Sequence, residues 1–332
     1  MFSKNPLVSV HMITYNHEPY IAQAIEGVLN QKTDFPIELV IGEDCSTDRT
    51  REIVLEYQKK YPDVIIVITS EKNVGMQKNN YRTAKACRGK YIAFCEGDDY
   101  WHHPLKLQKQ VEYLETHADV ALVHSGADTY YAETGQFNRW VPKSIGDDYD
   151  KDTFIKILKS EYIIKTLTVM ARKDLLINLI DENSDYFDEK YLFGDHQMWL
   201  LLSYVAKVKF VNESYATRNI LSESATHSKE IDKVIRMLES LYELKMHFYR
   251  KFCCPEEVAI VIRYKHYEAL LGVAFNAMNR DVAYATYREI KRQGLRPSLK
   301  QHLFFLGATN ILMNFIIHSL IRIRSKVHGI IY

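Results

Sequence analysis

The chain of 332 residues is 47% hydrophobic and 26% charged, which excludes a disordered chain and leaves room for one large core or two domains. Lys and Arg number 43 against 42 Asp and Glu, so no bulk charge points to a nucleic-acid partner. Five scattered cysteines (Cys45, Cys87, Cys95, Cys253 and Cys254) form no Cys-x-x-Cys pair. They argue against a zinc site or a disulfide framework and, with no secretory signal ahead of the first strand pattern, make a reducing cytoplasm the expected compartment.

Residues 7–99 alternate strand-like and helix-like patterns. Residues 7–15 form an apolar β-run with Val8, Val10, Met12 and Ile13, and residues 18–30 place Ile21, Ala24, Ile25, Val28 and Leu29 at helical spacing. A second strand is expected over 37–41, then a polar loop Asp44-Cys45-Ser46-Thr47-Asp48 whose Thr47 or Asp48 can cap a helix over 49–61. Residues 64–69 read as a third strand, 77–88 as a helix ended by Gly89, and 91–95 as a fourth strand. Such β-α alternation implies a mostly parallel sheet with helices on both faces. Ligands bind beyond the carboxyl ends of such strands, so the polar segments 14–17, 43–48 and 96–99 are expected to converge on one crevice.

The fourth strand ends in Glu96-Gly97-Asp98-Asp99. Side chains two apart on an extended backbone point the same way, so Glu96 and Asp98 can face one site. Grouped carboxylates repel unless a cation or proton sits among them, and hard oxygen ligands suit Mg²⁺ or Mn²⁺. A solvated acidic turn is the plain alternative.

Further on, residues 104–117 read as an amphipathic helix with Leu105, Leu107, Val111 and Leu114 as its buried stripe, and 120–131 as a strand. Residues 134–150 read as a polar loop and 152–182 as helical or mixed; 191–199 leads into an apolar helix through about 205. From 229 onward the pattern is helical. Residues 303–321 carry no Asp, Glu, Lys or Arg, are interrupted by Asn310, Asn314 and His318, and are followed by Arg322, Arg324 and Lys326. Three readings stand for this stretch: a helix packed on the protein, an in-plane membrane helix, or a true span.

The motifs VSVHMITYNHEPYI, ELVIGEDCSTDRT, EKNVGMQKNNYRTA and GKYIAFCEGDDYWHHPLKLQKQVEYLE agree in order with one family. Through them the first 130 residues resemble family 2 glycosyltransferases of the GT-A fold, in particular the bacterial subset that elongates cell-surface polysaccharides. Beyond residue 130 only Gly194-Asp195 and the stretch from Arg218 to His227 resemble the family. The resemblance implies an α/β GT-A domain over 1–228 with a helical region over 229–332, a nucleotide-diphospho-sugar donor, a divalent metal (Mg²⁺ or Mn²⁺) and inversion at the anomeric carbon.

By position in those motifs, Thr14, Tyr15 and Asn16 would line the nucleotide pocket. Asp44 would accept from the base imide of a UDP- or dTDP-linked donor, with Glu43, Ser46 and Asp48 shaping its loop; a turn and helix cap is the alternative for that loop. Asn79 and Arg82 would contact the donor, Arg82 through a phosphate or Asp98, or as a plain surface arginine. Asp98 would ligate the metal, Glu96 and Gly97 would stand beside the ribose or the ion, and Asp99 would orient the loop or a metal-bound water. Asp195 would be the base, with a helix cap as its structural alternative and His196 as its competitor. Trp101 would meet a sugar and Trp199 would pack; Arg218 and His227 flank a Ser-rich loop, Ser222-Glu223-Ser224, that closes over the diphosphate or is simply solvated.

The expected reaction is sugar transfer to a saccharide acceptor, lipid-linked at the inner membrane face, with contact to that face through residues 303–326. A sugar-nucleotide pyrophosphorylase is disfavoured because Ile13-Thr14-Tyr15-Asn16-His17 holds no glycine where its phosphate loop belongs. A dinucleotide-dependent dehydrogenase fails for the same reason. A non-catalytic glycan-binding protein on the same fold is the other alternative, against which the carboxylates at Asp44, Asp98 and Asp195 speak.

Overall fold

A computed structural model describes residues 5–142, 152–187, 191–221 and 230–328. They fall into two compact units divided near residue 222, with residues 158–160 belonging to the second.

The first unit opens with β1 (Val8–Thr14), α1 (Ile21–Leu29), β2 (Ile37–Glu43), α2 (Thr50–Lys60), β3 (Ile65–Ile68), α3 (Met76–Ala86) and β4 (Tyr91–Phe94). It continues with β5 (Tyr100–Trp101), α4 (Lys106–Thr116), β6 (Val120–Tyr131), β7 (Gln136–Asn138) and α5 (Thr153–Leu158). Then come β8 (Met170–Arg172), α6 (Lys173–Glu182), α7 (Asp195–Val205) and β9 (Lys207–Ile220). The sheet runs β3-β2-β1-β4-β8-β6-β9-β5, with β7 on β6. The pairings β3·β2, β2·β1, β1·β4 and β6·β9 are parallel, and β8 is antiparallel to both of its neighbours. The alternation over 7–99 is therefore present. The short antiparallel strands β5, β7 and β8 are not legible in the sequence, because two or three residues carry no periodicity.

Burial explains the choice of elements. Val8, Val10 and Met12 of β1 and Ile21, Ala24, Ile25 and Val28 of α1 lie in one apolar core with Leu39, Ile41 and Tyr91, the period-2 and period-3.6 stripes facing each other. Three local expectations need correction. Helix α2 starts one residue later, with Arg49 at its cap and no side-chain cap bond; Asp48 instead accepts from Thr50 N (2.9 Å) and Glu18 N (3.0 Å). Helix α3 ends at Ala86 with Cys87 extended. Gly89 is needed for a different reason: a Cβ there would lie 2.6 Å from the backbone N of Ser9, so β1 and the entry to β4 touch only through glycine. Leu105 lies outside α4 and is exposed, while Leu107, Val111 and Leu114 are buried as expected.

Lys106 completes the buried face of α4. Its Nζ donates to Gln110 Oε1 (2.8 Å) and lies 4.1 Å from the Trp101 ring centroid. Burial pulls its pKa down to about 7. Above that pH and up to the normal lysine range the unfolded chain holds this proton while the folded chain does not, so the group makes stability rise with pH. Below pH 7 the full cost of charging it is present. Lys106→Met is expected to flatten that slope, changing the stability difference from wild type by about 2 kcal/mol between pH 7 and pH 9. Thermal melts at both pH values measure it; a gap that stays constant would show that Lys106 titrates normally.

In the second unit every described element beyond 230 is a helix: α8 (Ile231–Lys251), α9 (Glu256–Ala277), α10 (Arg280–Arg292), α11 (Leu299–Thr309) and α12 (Ile311–His328). Their core gathers Tyr267, Leu271, Ala274, Phe275, Ala283, Ile290, Ala308 and Ile317. Asn279 caps α10 by accepting from Val282 N, and Ser298 with Gln301 forms a capping box at α11. The apolar stretch 303–321 is not continuous, since Asn310 is extended and separates α11 from α12. Among the described residues no helix is long and apolar enough to cross a membrane.

Candidate functional site

The carboxyl ends of β1, β2 and β4 lie side by side because the registers pair Thr14 with Glu43 and His11 with Phe94. Asp44 N donates to Thr14 O (3.1 Å) and Gly97 N to Ile13 O (3.0 Å). The three polar segments thus meet at one edge of the sheet. Gly97 permits this: a Cβ there would lie 2.6 Å from Thr14 Oγ1 and 3.0 Å from Ile21 Cδ1.

The first two loops are tied into one surface. Asn16 sits in the left-handed region with φ 55°, which asparagine tolerates. Its N–H donates to Ser46 Oγ (3.0 Å), and its Oδ1 accepts from Thr47 N (2.8 Å). Tyr15 is exposed beside it. Glu43 is buried and braces the loop, accepting from Ser46 N (2.6 Å) and Arg51 Nε (2.5 Å). Asp44 accepts from Val74 N (2.8 Å) and Gly75 N (3.0 Å), one on each oxygen. Each oxygen keeps a second lone pair, so the carboxylate retains acceptor capacity.

The two residues of α3 expected to contact the donor are engaged within the protein. Asn79 is buried with both ends of its amide engaged, donating to Gly42 O (2.8 Å) and accepting from Arg82 Nε (2.9 Å). Arg82 points to the ends of β2 and β3, donating to Glu43 O (2.9 Å) and Thr69 O (3.3 Å), with Asp44 Oδ1 3.8 Å away. It pairs with Asp44, not Asp98, because α3 runs beside β2.

Glu96 carries the clearest sign of a missing partner: its Oε2 is buried and accepts no hydrogen bond. Its pKa is pushed up to about 8, first by burial, then by the negative charges of Asp98 and Asp195, with Arg218 opposing. Asp195 is thus among the charges that Glu96 feels. Asp98 is partly exposed and lies 4.0 Å from His17 Nε2, whose Nδ1 is 3.2 Å from Thr14 Oγ1. Asp99 is buried and accepts from Asn219 N (2.8 Å), while Asn219 Nδ2 donates to Asp98 O (2.5 Å). Burial and its acidic neighbours hold Asp99 well above the usual carboxylate range. It orients the loop from β9.

Asp195 is the first residue of α7, and the cap position belongs to Gly194. Asp195 Oδ1 accepts from His196 N and Oδ2 from Thr166 Oγ1, both at 2.7 Å. Trp101 does not reach the crevice: β5 pairs with β9, the ring is buried, and its Nε1 donates to Leu167 O (2.7 Å). Trp199 packs edge-on against Phe94 with centroids 5.4 Å apart. Arg218 lies on β9 opposite Thr129. His227 and the segment Ser222-Glu223-Ser224 lie outside the described residues.

His17, Thr166 and Asn219 join the site without having been singled out. His17 lies inside the first polar segment and was within reach of the sequence; Thr166 meets Asp195 across 29 residues and Asn219 meets Asp98 across 121, separations that leave no local trace. Among the described residues no three His, Cys, Asp or Glu side chains are grouped to hold a metal alone. The orphaned oxygen of Glu96 and the partly exposed carboxylate of Asp98 fit a hard cation whose other ligands come from a phosphate or water.

Residues 9–174 match the family model described as Glycosyl transferase family 2. An uncharacterized protein of Mycobacterium tuberculosis is 36% identical over 166 residues, 50% of this chain and 47% of that protein, so the chain matches about half the length of these mycobacterial relatives. An uncharacterized glycosyltransferase of Methanocaldococcus jannaschii is 30% identical over 254 residues, 75% of this chain and 82% of that one. Among solved structures, S. aureus TarS 1–349 in complex with UDP-GlcNAc has a TM-score of 0.55 at 19% identity, covering 87% of this chain and 92% of that one. The mannosyltransferase PcManGT of Pyrobaculum calidifontis, in complex with GDP-Man and Mn²⁺, has a TM-score of 0.54 at 14% identity over 95% and 87%. At these identities the likeness shows the fold, which is the expected GT-A arrangement followed by a helical region.

Proposed function

We propose, on the premise that the chain belongs to glycosyl transferase family 2, that it moves a sugar with inversion from a nucleotide-diphospho-sugar to a hydroxyl of a saccharide acceptor. The observation that carries this reading is the acidic centre at the end of β4, where Glu96 has an unpartnered buried oxygen and feels the charges of Asp98 and Asp195. Asp44, with acceptor capacity left, receives the base imide of a UDP- or dTDP-linked donor; Thr14, Tyr15 and Asn16 form the wall beside it. Asp98 and Glu96 would hold Mg²⁺ or Mn²⁺, with the donor diphosphate supplying further oxygens. Bound there, such an ion would supply neutralisation of the diphosphate charge.

Asp195 takes the proton of the acceptor hydroxyl as its oxygen bonds to the anomeric carbon and the bond from that carbon to the diphosphate breaks. Thr166 Oγ1 donates to Asp195 Oδ2 (2.7 Å), which orients the carboxylate. Thr166→Val is expected to lower kcat about tenfold or more with little change in donor KM, and Thr166→Ser to restore most of it. Equal kcat in all three would remove Thr166 from the mechanism. The acceptor is a lipid-linked saccharide of a cell-surface glycan, reached from the cytoplasmic side.

A panel of UDP-, dTDP- and GDP-linked sugars, assayed for binding and hydrolysis with Mn²⁺ and again with EDTA, tests the reading directly. One donor bound and turned over only with metal is the expected result. No binding of any donor with metal present would overturn it, and binding without hydrolysis or transfer would leave a glycan-binding protein on this fold.

A further inference from the structure

The interrupted apolar stretch of the helical unit holds a surface that sugar transfer does not use. The inner side of α12 is spent on its own unit: Ile317 is buried in the core, and Met313 and Ile321 pack against it. The outer side leaves Ile311 73%, Leu312 65%, Phe315 71% and Leu320 60% exposed. Single exposed leucines are ordinary, but four large apolar side chains on one side of one helix are not.

The polar residues that interrupt this stretch all turn away from the exposed side or satisfy themselves. Asn310 Oδ1 caps the helix by accepting from Leu312 N (3.0 Å) and Met313 N (3.1 Å). Asn314 Nδ2 donates inward to Phe275 O (2.9 Å) and Gly307 O (3.1 Å), and the His318 ring stacks on Phe275 at 4.3 Å. Ser319 Oγ donates to Phe315 O (2.9 Å) within the helix. A face whose polar groups are already bonded can enter hydrocarbon without orphaning them.

Charge distinguishes a lipid surface from another occupant. From residue 290 to residue 332 the sequence contains no Asp or Glu, and Arg322, Arg324 and Lys326 follow Ile321. Arg292 and Lys300 are paired with Glu289 and Glu268, so the later cluster is the one that counts. A second copy of this acid-free face would bring like charges together, whereas anionic headgroups neutralise them.

We infer that α12 docks in the plane of an anionic membrane surface with its Ile311–Leu320 side in the acyl boundary, the acid-free, basic sequence around it matching the charge of such a surface. This deepens the reading of a lipid-linked acceptor, but vesicle binding and donor turnover are read separately. The full chain is to be sedimented with phosphatidylcholine vesicles with and without phosphatidylglycerol, alongside the double variant Leu312→Ser, Phe315→Ser.

The wild type is expected to sediment with the anionic vesicles only, and the double variant to lose that binding about tenfold or more at an unchanged melting temperature. Equal sedimentation of the two chains would overturn the inference, as would a wild type that ignores both vesicles. A dimer in solution that the double variant splits, with no vesicle binding, would assign the face to a second copy instead. Donor hydrolysis in solution should be the same in both chains. If the chain hydrolyses no donor yet binds vesicles through this face, the transferase reading falls and the docking stands.

Discussion

Asp195→Asn should lower kcat for sugar transfer by about 10²- to 10⁴-fold while donor binding stays within a few-fold. Asparagine keeps the size of the side chain, and its carbonyl oxygen can replace one of the two acceptors that now face Thr166 Oγ1 and His196 N. It cannot take a proton. The loss therefore belongs to the chemical step rather than to folding or donor capture, and single-turnover transfer beside donor calorimetry separates the two. The variant carries a second signature: Asp195 is among the charges that raise Glu96, so removing it should lower the Glu96 pKa. If transfer proceeds at the wild-type rate, the base lies elsewhere, and His196 is the next side chain to replace.

Asp98→Ala should abolish metal-dependent turnover, with kcat/KM falling about 10³-fold and the Mn²⁺ requirement of donor binding lost. The side chain is partly exposed and is bonded through its backbone carbonyl, not its carboxylate, to Asn219. Its removal should leave the loop anchored by the Asp99–Asn219 contact. A calorimetric titration of Mn²⁺ into protein with nucleoside diphosphate, repeated on the variant and on Glu96→Gln, divides the ion's hold between the two carboxylates. Undiminished metal-dependent binding in Asp98→Ala would place the ion on other ligands, and the acidic strand end would then be a turn.

The two predictions differ in how far the sequence alone supports them. Asp98 and Glu96 stand just past the end of a strand recognisable from its own residues, although the chain turns at Gly97-Asp98 instead of continuing extended as the period-2 expectation required. Asp195 could be named by position in a motif, but the hydroxyl that holds it comes from Thr166 in a region read only as helical or mixed. Trp101 shows the reverse error. It stands beside the metal loop in sequence, yet β5 pairs with β9 and turns the ring inward, where Leu167 O accepts from its indole. Asn79 and Arg82 sit in a motif that meets the donor by resemblance, and α3 brings them to the ends of β2 and β3, contacts the sequence does not disclose.

The sequence by itself determined the alternation of strands and helices over 7–99, the convergence of three polar strand ends on one edge, and the helical character beyond 229. Those are local properties, set by periodicity and by turn residues within a few positions of one another. Only the tertiary structure decided which polar side chains face the crevice and which brace it from behind. It likewise decided that Asn314 and His318 turn inward while Asn310 caps α12, leaving Ile311, Leu312, Phe315 and Leu320 exposed on its outer side. A side chain's partner is chosen by strand register and helix packing, which join residues far apart in the chain, and no window of sequence contains both members of such a pair.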